Sequence, residues 1–267
     1  MVEQFILIGA SNVTIGFPRL VHGLARWVGG PIEIWGVHGH GRSYGTWSKV
    51  MGRALPGILQ SRFWDEWVAV EKGPPPRAVV TDIGNDILYG HDNEEITGWV
   101  ETCVARLQHI GARIVMTRLP LASLAKLSQT RFAIARRILF PNCRLSLDHI
   151  TEQAHDLDRQ LQGLCAQRDI PLVEPEGHWY GIDPIHIRRS RLHPAWQKIL
   201  SAWNGDHQEH PGEPHPSDGS GPAFHSVGMG QALRTWRWWP AERSRRGQVT
   251  ETPQPVHTGD GLSVRLY

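Results

Sequence analysis

One serine and a closely spaced Asp/His pair have the residue types of a nucleophilic hydrolytic site. Ser11 follows an apolar run near the start of the chain, and Asp183 lies three residues before His186. A serine hydroxyl attacks an ester at neutral pH only when an adjacent base accepts its proton. Histidine is such a base when a carboxylate holds its ring in the right tautomer. We therefore predict ester hydrolysis, with Ser11 as nucleophile, His186 as base and Asp183 as the group that orients His186.

Two further segments supply donors for a negatively charged oxygen. They are residues 39–45, with the sequence Gly-His-Gly-Arg-Ser-Tyr-Gly, and residues 84–86, with the sequence Gly-Asn-Asp. The tetrahedral intermediate of ester hydrolysis carries an oxyanion, and each donor aimed at it accelerates the reaction by about 10²–10³. The Asn85 amide can donate, and a glycine lets the backbone approach a ligand closely. All three glycines of residues 39–45 are candidates.

These four blocks, in this order, resemble the SGNH branch of the GDSL esterase/lipase superfamily over roughly residues 3–203. The resemblance implies an oxyanion hole made by the backbone N–H groups of Ser11 and Gly41 and by the side-chain amide of Asn85. Gly41 is preferred because the Gly-Arg-Ser string that it begins resembles the same block of some carbohydrate esterases.

The first block departs from the Gly-Asp-Ser-Leu form, since Ala10 and Asn12 replace the Asp and the Leu. Neither position supplies the nucleophile, so we expect the departure to affect loop packing more than chemistry. It leaves the substrate open. Asp82 and Asp86 flank the third block, and we predict that both stabilise loops through hydrogen bonds to nearby backbone.

The elements that carry the blocks alternate between strands and helices. The first three blocks follow apolar runs, and five strands are predicted in all, at residues 4–8, 32–37, 78–83, 112–117 and 172–173. Ligands bind at the carboxyl ends of such parallel strands. The alternation predicts an α/β fold, a doubly wound three-layer parallel sheet. The resemblance implies a flavodoxin-like, five-stranded sheet in the order 2-1-3-4-5. We expect Pro18 in the first turn of the first helix.

Other side chains near the blocks are candidates for binding. Arg42, Trp47 and Trp179 are candidate substrate contacts, although an exposed loop arginine such as Arg42 is more often simply solvated. His38 and His40 have no cysteine or carboxylate at a matching spacing. We therefore predict no metal and no cofactor.

Composition narrows the class of protein. The formal net charge is +2 with interspersed signs, which indicates no basic face for nucleic acid. The three cysteines have no paired spacing, which favours free thiols in a reducing compartment. The start of the chain does not resemble a signal peptide, and no apolar run is long enough for a transmembrane segment. We predict a cytoplasmic enzyme with a small-molecule ester substrate, and the oligomeric state stays open.

The last part of the chain differs in character. Residues 1–203 are predicted to form the catalytic domain, and residues 204–267 a Pro/Gly-rich, partly disordered extension. The extension contains a tryptophan cluster at residues 236–239 and a possible terminal strand at residues 262–267. We expect truncation after Gly205 to leave a folded esterase, unless that strand joins the sheet.

Three other functions fit parts of the pattern. The same site could transfer the acyl group to an alcohol, which would make the protein an acyltransferase. An SGNH-fold binding protein without activity would keep the pocket, but every residue that the chemistry requires is present. A flavodoxin-like nucleotide binder would lack a use for Asp183 and His186, and the chain has no Gly-x-Gly-x-x-Gly after its first strand.

Overall fold

The computed structural model describes residues 1–50, 52–68, 73–139, 143–204, 240–245 and 248–267. Its strands are β1 (Glu3–Ile8), β2 (Ile32–Val37), β3 (Ser48–Val50), β4 (Arg53–Leu55), β5 (Arg77–Val80), β6 (Arg113–Thr117), β7 (Leu172–Val173), β8 (Glu242–Arg245), β9 (Gln248–Glu251), β10 (His257–Gly259) and β11 (Leu262–Leu266). Its α-helices are α1 (Ser11–Val28), α2 (Phe63–Val68), α3 (Asn85–Leu88), α4 (Asn93–His109), α5 (Leu121–Leu124), α6 (Gln129–Leu139), α7 (Leu147–Arg168) and α8 (Leu192–Ser201). The predicted tryptophan cluster lies outside the described residues.

The main sheet has seven strands in the order β10-β11-β2-β1-β5-β6-β7. The prediction of five strands is therefore corrected. The run β2-β1-β5-β6-β7 places the five predicted strands side by side in the order 2-1-3-4-5, and β11 adds to β2 in parallel, from Leu262 opposite Ile32 to Leu266 opposite Gly36. The strand β10 pairs with β11 in an antiparallel hairpin. The expectation of a terminal strand is thus confirmed.

Helices cover both faces of the sheet, which gives the mixed α/β fold that the alternation predicted. Alternate residues of β1 point to opposite faces, so Ile6 and Ile8 pack with α4 and α7 while Phe5 and Leu7 pack with α1 and α8. All four side chains are 0% exposed. The three cysteines are buried and free, as predicted. Within the described ranges, no helix has the length and apolar character that a membrane span requires.

The helix α1 begins at Ser11, not at Pro18 as expected. Pro18 lies inside the helix, where it has no N–H to donate to the preceding turn. The early start is possible because a carboxylate from the loop after β5, that of Asp82, accepts the N–H groups of the first turn. This partner is distant in sequence, and local spacing gave no sign of it.

The end of the chain is built into the fold. Besides the β10–β11 hairpin, β8 pairs with β4 in a second, four-stranded antiparallel sheet. The ring of Tyr267 stacks on Trp35 with centroids 5.7 Å apart, and its hydroxyl donates to Glu66 at 2.6 Å. Because the terminal strand joins the main sheet, truncation after Gly205 is not expected to leave a folded esterase.

Candidate active site

A carboxylate holds the turn that carries Ser11. Three backbone N–H groups around Ser11 donate to Oδ2 of Asp82, namely those of Ala10, Asn12 and Val13, at 2.9, 2.9 and 3.3 Å. The N–H of Ser11 lies between them and has no partner in the described part of the chain. Asp82 itself has a left-handed backbone with φ 62°. The cap therefore leaves the Ser11 N–H available for a developing oxyanion.

His186 and Asp183, the predicted base and its orienting carboxylate, lie in one compact loop. Nδ1 of His186 donates to Oδ2 of Asp183 at 2.6 Å, and Oδ1 of Asp183 accepts the backbone N–H groups of Ile185 at 3.1 Å and His186 at 3.2 Å. Burial alone would lower the pKa of His186, but the hydrogen bond to Asp183 and the negative charges of Asp183 and Asp82 raise it. Burial would likewise raise the pKa of Asp183, yet its contacts with His186 and the backbone lower it. Nε2 of His186 is left to accept a proton.

Asn12 joins this loop to the turn of Ser11. Its Nδ2 donates to Oδ1 of Asp82 at 2.7 Å and to the carbonyl of Ile185 at 2.8 Å, and its Oδ1 accepts the N–H of Ile187 at 2.8 Å. Sequence reasoning missed this role. The only signal was a polar residue where the Gly-Asp-Ser-Leu form has an apolar one.

The hydroxyl of Ser11 forms no hydrogen bond to His186 in the described structure. Catalytic hydrogen bonds are often long before substrate binds and tighten in the reacting complex. Ser11 is 6% exposed and lies three residues after the end of β1, so it lies at the carboxyl edge of the sheet.

Two further N–H donors have the properties that the oxyanion hole requires. Gly41 has φ 62°, and a Cβ at this position would lie 2.4 Å from Cγ2 of Val50. Of the three candidate glycines it alone has a positive φ, and the N–H of Gly45 is already bonded to Ser43. The backbone N–H of Gly41 and the side-chain amide of Asn85, which is 8% exposed, have no hydrogen-bond partner among the described residues.

Long-range hydrogen bonds tie the glycine-rich segment to the helix of Asn85. Tyr89 donates its hydroxyl to the carbonyl of Gly41 at 2.5 Å, and Asp86 accepts the N–H of Tyr44 at 3.0 Å. The hydroxyl of Tyr44 donates to the carbonyl of Thr81 at 2.7 Å. Burial raises the pKa of Asp86 to about 6. Asp82 and Asp86 thus stabilise loops as predicted, but their partners are distant in sequence.

Arg42 is not a substrate contact, and neither of its two expected roles is correct. It is 0% exposed. Its Nε donates to the carbonyl of Pro56 at 2.9 Å, and one terminal nitrogen donates to the backbone oxygen of Tyr267. Burial lowers the pKa of Arg42 to about 9, so the group stays charged at neutral pH. Arg42 therefore connects the glycine-rich segment to the end of the chain.

The two candidate tryptophans differ in position. Trp47 is 45% exposed and does not line the cavity beside Ser11, so its contact with substrate stays a prediction. Trp179 is 2% exposed and forms part of the wall of that cavity.

The two neighbouring histidines are not arranged as a metal site. Nδ1 of His38 is 2.9 Å from the hydroxyl of Thr14, and its ring lies against Phe17 at 4.4 Å. Burial lowers the pKa of His38 to about 3, so the ring is neutral. His40 is exposed. Among the residues that the structure describes, no group of three or more His, Cys, Asp or Glu side chains is placed to hold a metal ion.

A cavity of about 480 Å³ opens beside the site. Ser11, Asn85 and Asp183 line its polar part, whereas Gly41 and His186 are outside its lining. The rest of the wall is largely apolar, with Ile87, Leu88, Leu119, Leu124, Phe132 and Trp179. Ile134 and Ile182 also line it and are 58% and 77% exposed, so the apolar wall continues to the surface.

We expect Asn85→Ala to lower kcat by about 10²–10³ while KM changes little, because the amide meets a charge that exists only after attack. Steady-state kinetics on a soluble ester measure both constants. Asn93→Ala is a control, since its amide donates to the carbonyl of Gln153 at 3.0 Å and lies on another helix. A normal kcat with a raised KM would make Asn85 a substrate contact instead.

Asp183→Asn should move the acid limb of the profile of kcat/KM against pH to lower pH. Activity requires the neutral imidazole, so it rises with pH through the pKa of His186, which Asp183 holds above the usual 6.5. Asp183→Asn should retain some turnover, because the imidazole ring can still be held by other groups when the carboxylate is absent. His186→Ala should retain none, because it lacks the base itself. Asp260→Asn, on the β10–β11 turn, is the remote control. The reverse ranking of the two variants would mean that the roles are misassigned.

Three solved structures with a similar fold are named as a lipase and two esterases. A GDSL-like lipase from Bacteroides thetaiotaomicron is 13% identical, with 76% of this chain and 88% of that chain aligned and a TM-score of 0.50. An acetyl xylan esterase is 14% identical over 74% and 98% of the two chains, also with a TM-score of 0.50. The psychrotrophic esterase EstA from Pseudoalteromonas sp., inhibited by monoethylphosphonate, is 9% identical over 76% and 100%, again at 0.50.

No protein-family model matches the sequence, and no curated protein sequence matches it either. The likeness is therefore one of fold, and at this level the predicted resemblance to SGNH/GDSL proteins is confirmed.

Proposed function

We propose that this protein is a serine esterase that cleaves carboxylic esters with an apolar acyl group, through an acyl-enzyme on Ser11. The observation that carries the proposal is the surroundings of Ser11. Its N–H is left free by the cap from Asp82, and its neighbour Asn12 is bonded on both sides of His186. The neighbours in fold that are named as esterases and as a lipase support the reaction class.

The reaction follows from the roles of these groups. Ser11 Oγ attacks the ester carbonyl and passes its proton to Nε2 of His186, while Asp183 stabilises the imidazolium through Nδ1. The N–H groups of Ser11 and Gly41 and the amide of Asn85 bind the oxyanion. The imidazolium then protonates the leaving alcohol. A water molecule, activated by His186, releases the acid and restores Ser11.

The cavity beside Ser11 is the proposed acyl site. Its wall is mostly apolar, and its volume of about 480 Å³ exceeds what an acetyl group needs. Burial of each methylene contributes about 0.8 kcal/mol, so kcat/KM should rise roughly fourfold per added CH₂ until the cavity is filled.

A series of p-nitrophenyl esters of graded chain length tests the function and this preference together. We expect Leu124→Trp, which narrows the cavity, to shift the optimum to shorter chains and to leave acetate hydrolysis close to wild type. Trp47→Ala should leave the profile unchanged, because Trp47 is outside the cavity. A preference for acetate that Leu124→Trp does not alter would place the acyl group elsewhere.

A further inference from the structure

Asn12 occupies a position at which three separate segments meet. It is the second residue of α1, directly after Ser11, and is 7% exposed. Its side-chain amide makes three hydrogen bonds, two of them to backbone groups on either side of His186 and one to the carboxylate of Asp82. All three are 2.7 or 2.8 Å long. The NH₂ group and the oxygen of the Asn12 side chain are thus both hydrogen-bonded.

The loop of His186 has few other attachments. Within residues 181–187, the backbone N–H groups of Ile185 and His186 donate to Asp183, which lies in the same loop. In the described part of the chain, the hydrogen bonds that fasten residues 181–187 to a different segment are the two made by Asn12, and at the end of the loop the N–H of Arg188 donates to the carbonyl of Trp179 at 2.9 Å. Side-chain packing of Ile187, which is 5% exposed, adds an apolar contact. Asn12 is therefore the residue that joins this loop to α1 by hydrogen bonds.

Asp82 links Asn12 to the turn that carries Ser11, the proposed nucleophile. One oxygen of its carboxylate accepts the N–H groups around Ser11, and the other accepts the Nδ2 of Asn12. A single carboxylate thereby orients the turn of Ser11 and the amide that holds the loop of His186. A displacement of about 1 Å between reacting groups can lower the rate by about 10². A residue that joins both loops is placed to prevent such a displacement.

We propose that Asn12 is a positioning residue, which holds the loop of His186 against the start of α1 so that the base faces Ser11. This inference rests on the proposed function. Leucine, which the Gly-Asp-Ser-Leu form has at this place, is similar in size but makes none of the three hydrogen bonds. The departure from that form therefore contributes to the chemistry and not only to loop packing.

The test compares Asn12→Leu and Asn12→Ala with wild type. We expect kcat to fall about 10- to 100-fold, with KM within about threefold, because the loss affects geometry more than binding. The pKa of His186, followed by NMR of its ring signals without substrate, should fall as the loop moves away from the negative charge of Asp82, which raises that pKa, while the contact with Asp183 within the loop remains. The acid limb of kcat/KM should move in the same direction.

Thr14→Val is the matched control. Thr14 lies in the first turn of the same helix, and its hydroxyl bonds to the carbonyl of Ala10 at 2.7 Å and to His38 at 2.9 Å. This variant loses hydrogen bonds of α1 but none to the loop of His186. We expect it to lower the melting temperature without changing kcat or the titration of His186.

Two results would overturn the inference. One is an Asn12→Leu variant with wild-type kcat and wild-type titration of His186. The other is a loss of activity in both Asn12 variants, in folded protein, while the titration of His186 stays that of wild type. If Asn12→Leu does not fold, Asn12→Ala gives the same readouts. An inactive wild type would refute the proposed function alone, because the NMR titration still reports whether Asn12 sets the surroundings of His186.

Discussion

Replacement of Ser11 by alanine should abolish ester hydrolysis, with kcat lowered by roughly 10⁴-fold or more. The reason is that no acyl-enzyme can form without the hydroxyl at the end of β1. A fluorophosphonate probe should label the wild type once and the Ser11→Ala variant not at all. Intact-protein mass spectrometry measures the labelling, and a melting curve shows that the variant is folded.

Ser123→Ala is the control for this experiment. Ser123 is a buried serine, 6% exposed, and lies in α5. We expect this variant to be labelled and to turn over ester as wild type does. Undiminished labelling of Ser11→Ala would identify a different nucleophile. A wild type that is neither labelled nor active would favour a binding protein with this fold.

Removal of the residues after Gly205 should produce a protein that melts far below the full-length chain and is inactive. The cut removes β10 and β11, which belong to the main sheet, and uncovers β2. It also removes the hydrogen bond from Arg42 to the backbone oxygen of Tyr267 and the stacking of Tyr267 on the buried Trp35. A melting curve and an ester assay on both proteins decide the question. A truncated protein that keeps its melting temperature would show that the last strands are dispensable.

Substitutions at two valines test whether β11 itself stabilises the fold, without shortening the chain. Val264 lies in β11 and is 0% exposed, whereas Val249 lies in β9 and is 57% exposed. Val264→Asp buries an unpaired charge and should cost about 3 kcal/mol or more, which lowers the melting temperature by roughly 6–12 °C. Val249→Asp should change it little. Equal effects at the two positions would contradict the integral role of β11.

The sequence was sufficient for the features that depend on local pattern. Continuous apolar runs predicted β1 and β2 because a parallel strand is buried on both faces. The three- and four-residue spacing of apolar residues predicted the long helices in the same way. The joint order of Ser11, Asn85, Asp183 and His186 predicted the fold of the SGNH/GDSL proteins, and the comparison of structures confirms that fold. Their catalytic roles remain a proposal.

Only the tertiary structure decided what lies against each loop. The sequence around Arg42 predicts an exposed loop arginine. In the structure the end of the chain covers Arg42 and accepts its hydrogen bond, and the local sequence gives no sign of that partner. Pro18 predicts the start of a helix, but the carboxylate of Asp82, which is distant in sequence, allows α1 to begin at Ser11. The strand β11 reads as half a hairpin, yet its register with β2 comes from burial of apolar side chains between layers.

The same distinction applies within the site. The type and order of Ser11, Asp183 and His186 indicate a reaction, because that chemistry requires those side chains. The hydrogen bonds of Asn12, in contrast, join segments more than 170 positions apart, such as the bond to the carbonyl of Ile185 with a separation of 173. Such partners are set by how the strands stack into one sheet and where their loops meet. The spacing of residues along the chain does not indicate which loops come together. The hydrogen bonds of Asn12 could therefore be identified only from the folded structure.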